Sequence, residues 1–330
     1  MSFFRLVGAE SCFFSGNRTK ALQFTHVVLE SARFFRQMNK HNSSAFFSAV
    51  LAAFLMGSLG FFVRESACSA QACSFVRFAV GLVLVAGLQG WLVLKGKSSF
   101  AFSWQSALSG AGISLCILFY FLAIQSISVG IAALLLYTGP VFAVVGEALL
   151  NRRFPPQRDG VLIAMSVAGI VAVSVFADGG DAAVSNAAGL VFGLLSGVCY
   201  AVYILLTRNI PEQVTLVQRT FWQFVAGCLL LAFPLATTEN AFAGLEQGWP
   251  YLLSIGVLQG FVVMLLIAYA VRHLTAVRFG TISYLEPAVA VLLGWLIYSE
   301  LLTAGQWCGF VLVIAASAAQ SLLPSSDKQS

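Results

Sequence analysis

Apolar residues in this chain run in blocks of about twenty, and the polar positions fall almost entirely between the blocks. A helix on the surface of a soluble protein keeps a polar face every three to four residues. These blocks keep none, so the pattern predicts helices that are apolar all round and long enough to cross a bilayer. Ten such stretches are expected, at about 45–63, 74–94, 104–125, 129–150, 160–177, 187–207, 219–237, 250–271, 277–298 and 304–323. The connections are short. Several carry residues that end helices: "FPPQRDG" at 154–160, "DGGD" at 178–181, "NIPEQ" at 209–213 and "QGWP" at 247–250.

The placement of charge adds orientation. Alternate links carry Lys95 and Lys97; Arg152, Arg153 and Arg158; Arg208 and Arg219; Arg272 and Arg278. The intervening links carry Asp178 and Asp181, Glu239 and Glu246, and Glu300. Cytoplasmic loops are the ones enriched in Lys and Arg, so both termini are expected in the cytoplasm, as an even helix count also requires. Arg64, beside Glu65, is the one charge against the pattern. Composition agrees: 59% of the 330 residues are hydrophobic and 9% charged, against about 25% charged in a typical soluble domain. The lipid bilayer is therefore the expected surroundings, a plasma membrane such as the bacterial inner membrane. The net charge of +5 is scattered rather than gathered in a patch, which argues against nucleic acid.

An internal repeat organises the helices. "LYTGPVFAVVGEALL" (136–150) aligns with "SYLEPAVAVLLGWLI" (283–297) on Pro140 and Pro287, an offset of 287 − 140 = 147. Tyr137 then meets Tyr284, and "FLAIQSIS" (121–128) meets "AYAVRHLT" (268–275). Two halves of five helices follow, 44–178 and 186–323, with a short tail at 324–330. Five is odd, so the halves run in opposite senses through the membrane. Inverted repeats of this kind are common in transporters, with the substrate site near mid-depth between the halves.

On these residues the chain resembles the drug/metabolite transporter superfamily, in its EamA-like ten-helix branch. "YLEPAVAVLLGWLIYSELLTAGQWCGFVLVIAA" (284–316) carries the expected Glu-Pro, Ser-Glu and Gly-rich last helix, and "FVRFAVG" (75–81) resembles the second helix. The first half departs from the pattern: Gly139 stands where Glu286 precedes Pro287, Arg153 stands at the place of Glu300, and the nearest acid is Glu147. The resemblance implies an all-α fold of ten transmembrane helices around a central cavity. It also implies a secondary active carrier for a small organic solute (amino acid, metabolite or drug-like), working by alternating access with no cofactor, and efflux is the expected direction. The alternatives are an exchanger of nucleotide sugars or phosphorylated metabolites and a channel-like permease. Several cavity-facing cations would suit phosphates, and only Arg77 is available within a span.

The candidate site residues are those that cost most in hydrocarbon. Glu286 lies about eight residues into the ninth stretch, where a lipid-facing carboxylate would cost a few kcal/mol. It reads either as a proton-coupling or cation-binding group, or as a carboxyl that locks a helix kink. Arg77 reads as an anion partner or as a side chain snorkelling outward. Pro140 and Pro287 each remove a backbone donor at matching depth and are candidate hinges. Tyr120, Tyr137, Tyr284, Trp222, Gln223 and Gln259 lie within spans and are candidates to line a cavity for amphipathic solutes, with ordinary helix packing as the competing reading. Glu147 reads as a surface ion pair with Arg152 or Arg153. The glycine steps in "GLVFGLLSG" (189–197) read as close helix packing, with a homodimer face as the second reading.

Other chemistry has little support. HExxH and GxSxG are absent, and the three histidines, His26, His41 and His273, all lie away from mid-span. None of the seven cysteines form a CxxC pair, so no metal site is expected. Cys68 and Cys73 share one link and would be the pair to form a disulfide. Residues 1–43 are a basic extension without an apolar signal run. They read as disordered, as an organellar presequence, or as sequence upstream of a start at Met38.

Overall fold

The computed structural model describes residues 44–150, 152, 157–175, 187–274, 279, 282–283, 285–300 and 302–322. The basic extension, Tyr284 and the tail lie outside them. Within the described residues the regular structure is helical. In chain order the elements are α1 (Ser44–Glu65), α2 (Ala70–Leu94), α3 (Trp104–Ile124), α4 (Val129–Leu150), α5 (Gln157–Val175), α6 (Ala187–Arg208) and α7 (Leu216–Ala236). They continue with α8 (Leu245–His273, in three consecutive segments), α9 (Leu285–Tyr298) and α10 (Ala304–Leu322). Seven are long and apolar enough to cross a membrane: α1, α2, α3, α4, α6, α7 and the Leu245–Ile267 part of α8. Gly160–Gly169, Leu285–Tyr298 and Ala304–Ala316 are shorter apolar helical stretches.

Short links work because serine and threonine begin the helices. Ser69, Ser103, Ser128 and Thr215 each accept the N–H three residues on, satisfying a donor that hydrocarbon would leave bare. Thr303 and Gln306 form a reciprocal capping box at α10: Thr303 N–H donates to the Gln306 amide oxygen at 2.8 Å, and Gln306 N–H to the Thr303 hydroxyl at 3.3 Å.

The bundle is apolar outside, and its mainly apolar interior holds a set of buried polar side chains. Val83, Leu94, Leu229 and Phe233 are among the most exposed side chains, while Ser109, Ser114, Gln89, Gln223 and Gln259 are buried. In lipid an apolar surface costs nothing, and interior polar groups bond to one another. α3 packs against α6, α7, α2 and α4, and α5 packs against α10. Glycine allows the closest approaches. A Cβ on Gly110 of α3 would lie 2.4 Å from the Gln223 backbone of α7.

The α6 stripe of Gly189, Gly193 and Gly197 is filled by Ile127, Leu135 and Thr138. The small-residue face is thus used inside the chain, which leaves it no surface for a second copy. The expected breaker "QGWP" is helical instead, within Leu245–Ser254. Gly248 is there because the Ser66 carbonyl of the α1–α2 link would be 1.9 Å from a Cβ. Close backbone contact, rather than a chain turn, explains that glycine. Cys68 and Cys73 are both free and buried. Burial pushes the Cys68 thiol up, and the Cys73 sulfur sits 3.2 Å from the Ser66 hydroxyl.

Candidate functional site

Three helices lose regular geometry around one internal space, and a fourth carries a proline in its first turn. α1 breaks at Ser58. There the Leu55 carbonyl takes the Ser58 hydroxyl at 2.7 Å and the Gln259 amide at 2.5 Å. α4 breaks at Tyr137–Thr138, since Pro140 has no N–H to return to Leu136. α8 widens to a π-helix over Ile255–Val262, the segment that holds Gln259. α9 carries Pro287 as its third residue. Irregular backbone at membrane depth persists only where protein or a cavity receives its polar groups, and π segments often mark functional sites.

The space between these breaks holds about 20 Å³, room for a water and for nothing of metabolite size. Its lining includes Met56 and Gly57 of α1, Tyr120 of α3, Tyr137 of α4, and Glu286 and Pro287 of α9. Pro287 lacks the N–H that would reach the Ser283 carbonyl. The Tyr137 hydroxyl replaces it, donating to Ser283 O at 2.9 Å. The same hydroxyl is a hydrogen-bond partner of the Glu286 carboxyl. One phenol on α4 therefore meets both the carbonyl that Pro287 leaves without a donor and the acid beside that proline.

Arg77 stands next to this group. Its Nη2 lies 3.7 Å from the Met56 sulfur, so Met56 touches the guanidinium and also lines the space that holds Glu286. Arg77 and Glu286 are close enough to act on each other's charge, and Tyr120 feels both. Arg77 Nη1 is buried and has no hydrogen-bond partner among the described residues, and the same is true of Gln259 Oε1. An orphaned buried donor is costly, and an anionic group would satisfy it.

The fold therefore brings Glu286, Pro287, Tyr120 and Tyr137 together, with Arg77 and Gln259 adjoining through Met56 and Leu55. Two other candidates lie elsewhere. Gln223 donates to Ser109 at 2.9 Å, holding α7 to α3. Trp222 donates to the Ala101 carbonyl at 3.0 Å and packs edge-on against Phe102, which anchors the α2–α3 link. Gly139 has a local cause: a Cβ there would lie 2.5 Å from the Tyr200 ring of α6, so no side chain fits at the counterpart of Glu286. Glu147 pairs with Arg208 at 2.5 Å, a surface ion pair with another partner than expected, and Arg153 lies outside the described residues.

A polytopic membrane protein with broken helices around a buried acid is the architecture of a carrier. The EamA-like transporter family matches residues 43–175 and again 187–321, and the chain belongs to that family. An uncharacterized transporter of Archaeoglobus fulgidus is 26% identical over 81% of this chain and 92% of its own length. The pseudopaline exporter CntI of Pseudomonas aeruginosa is 26% identical over 83% and 94%. The threonine/homoserine exporter RhtA of Escherichia coli K12 is 28% identical over 75% and 80%. A solved crystal structure superposes with a TM-score of 0.55 at 18% identity, covering 86% of this chain and 99% of the other, a likeness of fold alone.

Proposed function

We propose that this protein is a secondary carrier that exports a small amino-acid-like metabolite by alternating access, through a site built on Glu286. The observation that carries this reading is the carboxylate in the first turn of α9, in a space shared with Tyr137 and Tyr120, beside an arginine whose Nη1 has no partner among the described residues. A buried acid and a buried base in one region suit the ammonium and carboxylate of a zwitterion. The named exporters among the relatives support the direction and the solute class. A phosphate exchanger fits less well, because among the described residues the cavity lining carries a carboxylate and two phenols, with the single arginine Arg77 adjoining it.

The proposed architecture is ten spans in two inverted halves, 44–178 and 186–323, with both termini cytoplasmic in a bacterial inner membrane. Glu286 is the proposed proton-coupling group, since a carboxyl can trade its proton for the solute's ammonium. The present space is too small for a solute, so loading requires the broken helices to move apart. Pro140 and Pro287 are the proposed hinges. The test is efflux of preloaded radiolabelled threonine from cells expressing the protein. Faster release than from vector controls, lost in Glu286→Gln, is the expected result. Release at the control rate would overturn the proposed solute class.

A further inference from the structure

Among the described residues, two ion pairs between helices stand outside the proposed binding site. Arg64, in the last turn of α1, pairs with Glu300, just past α9. Arg208, in the last turn of α6, pairs with Glu147 near the end of α4. α4 runs between the two pairs. Its first N–H, on Val129, donates to Glu300 Oε2 at 3.2 Å, and Glu147 is 147 − 129 = 18 residues further on, about 27 Å at helical rise. The pairs therefore close opposite ends of the bundle.

Repeat arithmetic relates them. α1 and α6 are both 22 residues long and each opens its half, starting at Ser44 and Ala187, an offset of 187 − 44 = 143, while α4 aligns on α9 at an offset of 147. An α1–α9 pair at one end is thus the counterpart of an α6–α4 pair at the other. The acids arrive by different routes. Glu147 falls on Gly294 (147 + 147 = 294). Glu300 folds back over that residue: its N–H donates to the Gly294 carbonyl at 3.1 Å, and its Oε2 is 2.7 Å from where a Gly294 Cβ would sit. The Glu300 carboxylate thus lies over the residue that the repeat sets opposite Glu147.

We infer that Arg64–Glu300 and Arg208–Glu147 are the two latches of alternating access, one sealing each end of the solute path. This rests on the inverted-repeat reading above. The two are in unlike states here. Arg64 also donates to the Ile124 carbonyl at 3.2 Å and to Ile127 at 2.9 Å, and lies 4.8 Å over the Tyr298 ring, whose hydroxyl donates to Glu65 at 2.9 Å. Its side chain is 24% exposed and that of Glu300 15%. This knot holds α1, α9 and the α3–α4 corner together. Among the described residues Arg208–Glu147 is a single contact, with side chains 58% and 41% exposed. The Arg64 end is sealed and the Arg208 end is weakly held. In the proposed orientation the sealed end is the outer one.

Accessibility reads the latches without knowledge of the solute. Ala290 lines the cavity from α9 and Ala133 from α4, so Ala290→Cys is the reporter and Ala133→Cys its replacement where the first misfolds. A membrane-impermeant maleimide is added to right-side-out or inverted vesicles, and peptide mass gives the label at that residue, apart from the native cysteines. Glu300→Gln keeps an acceptor for Val129 N–H and removes the charge. It is expected to raise labelling from the Arg64 side about tenfold, within the usual range of conformational coupling, and Arg64→Gln added to it gives no further rise. Glu147→Gln is expected to raise labelling only from the Arg208 side, and by less. The inference is overturned if both substitutions act from the same side, or if neither changes labelling. A failed threonine efflux assay would leave these labelling results intact, so the two readings fail separately.

Discussion

Removing the Tyr137 hydroxyl should cost stability in a way that depends on Pro287. In the native chain the Ser283 carbonyl has lost its helical donor to Pro287 and takes the phenol at 2.9 Å instead. Tyr137 is 8% exposed, so no bulk water replaces the phenol in Tyr137→Phe. A buried acceptor left without its donor costs about 1–3 kcal/mol, and that is the expected loss. In a Pro287→Ala background residue 287 has an N–H again, and the helix can close on Ser283. Tyr137→Phe should then cost less by about 1–2 kcal/mol, the share of the hydroxyl that capped the carbonyl.

The bond between Tyr137 and Glu286 is lost in both backgrounds and cancels in the cycle. Unfolding of the four variants by sodium dodecyl sulfate titration in detergent micelles measures the coupling. Costs that add to within about 0.5 kcal/mol, the ordinary limit for independent sites, would refute the capping argument.

Three further outcomes follow. Glu286→Gln should remove the pH dependence of threonine efflux along with most of its rate, measured in cells across external pH; an unchanged profile would leave Glu286 without a coupling role. Gly110→Ala should lower the melting temperature sharply, because the new Cβ meets the Gln223 backbone at 2.4 Å, and overpacking of this kind costs about 1–3 kcal/mol or more. Thr303→Ala should destabilise the protein by about 1 kcal/mol through loss of the α10 cap, with efflux per folded molecule unchanged.

The membrane character was legible because lipid imposes a simple rule on composition: a helix in contact with it shows no polar stripe. Glu286 and the two prolines were legible for the same reason, since each is costly in hydrocarbon and so calls for a special setting. The rest depends on contacts that no local pattern carries. Arg64 looked like an exception to the charge alternation because its partner Glu300 lies 236 residues away. Counting loop charges cannot tell a solvated arginine from one held by a carboxylate and two carbonyls. The π segment of α8 has the same apolar composition as an α-helix. Gly248 has the sequence look of a turn, yet its cause is the Ser66 backbone pressed against it. Trp222 and Gln223 read as cavity candidates because they lie within a span. Position within a span fixes depth but not the direction a side chain faces, and both side chains are taken up in holding α7 to its neighbours.

Counterflow tests the carrier reading most directly. Purified protein is reconstituted into liposomes loaded with unlabelled threonine and diluted into a trace of labelled threonine outside. A carrier with one alternating site draws the label inward transiently above its external concentration, and the account predicts that overshoot for the native protein and its loss in Glu286→Gln. Label that only equilibrates, at the same rate with or without internal threonine, would contradict it.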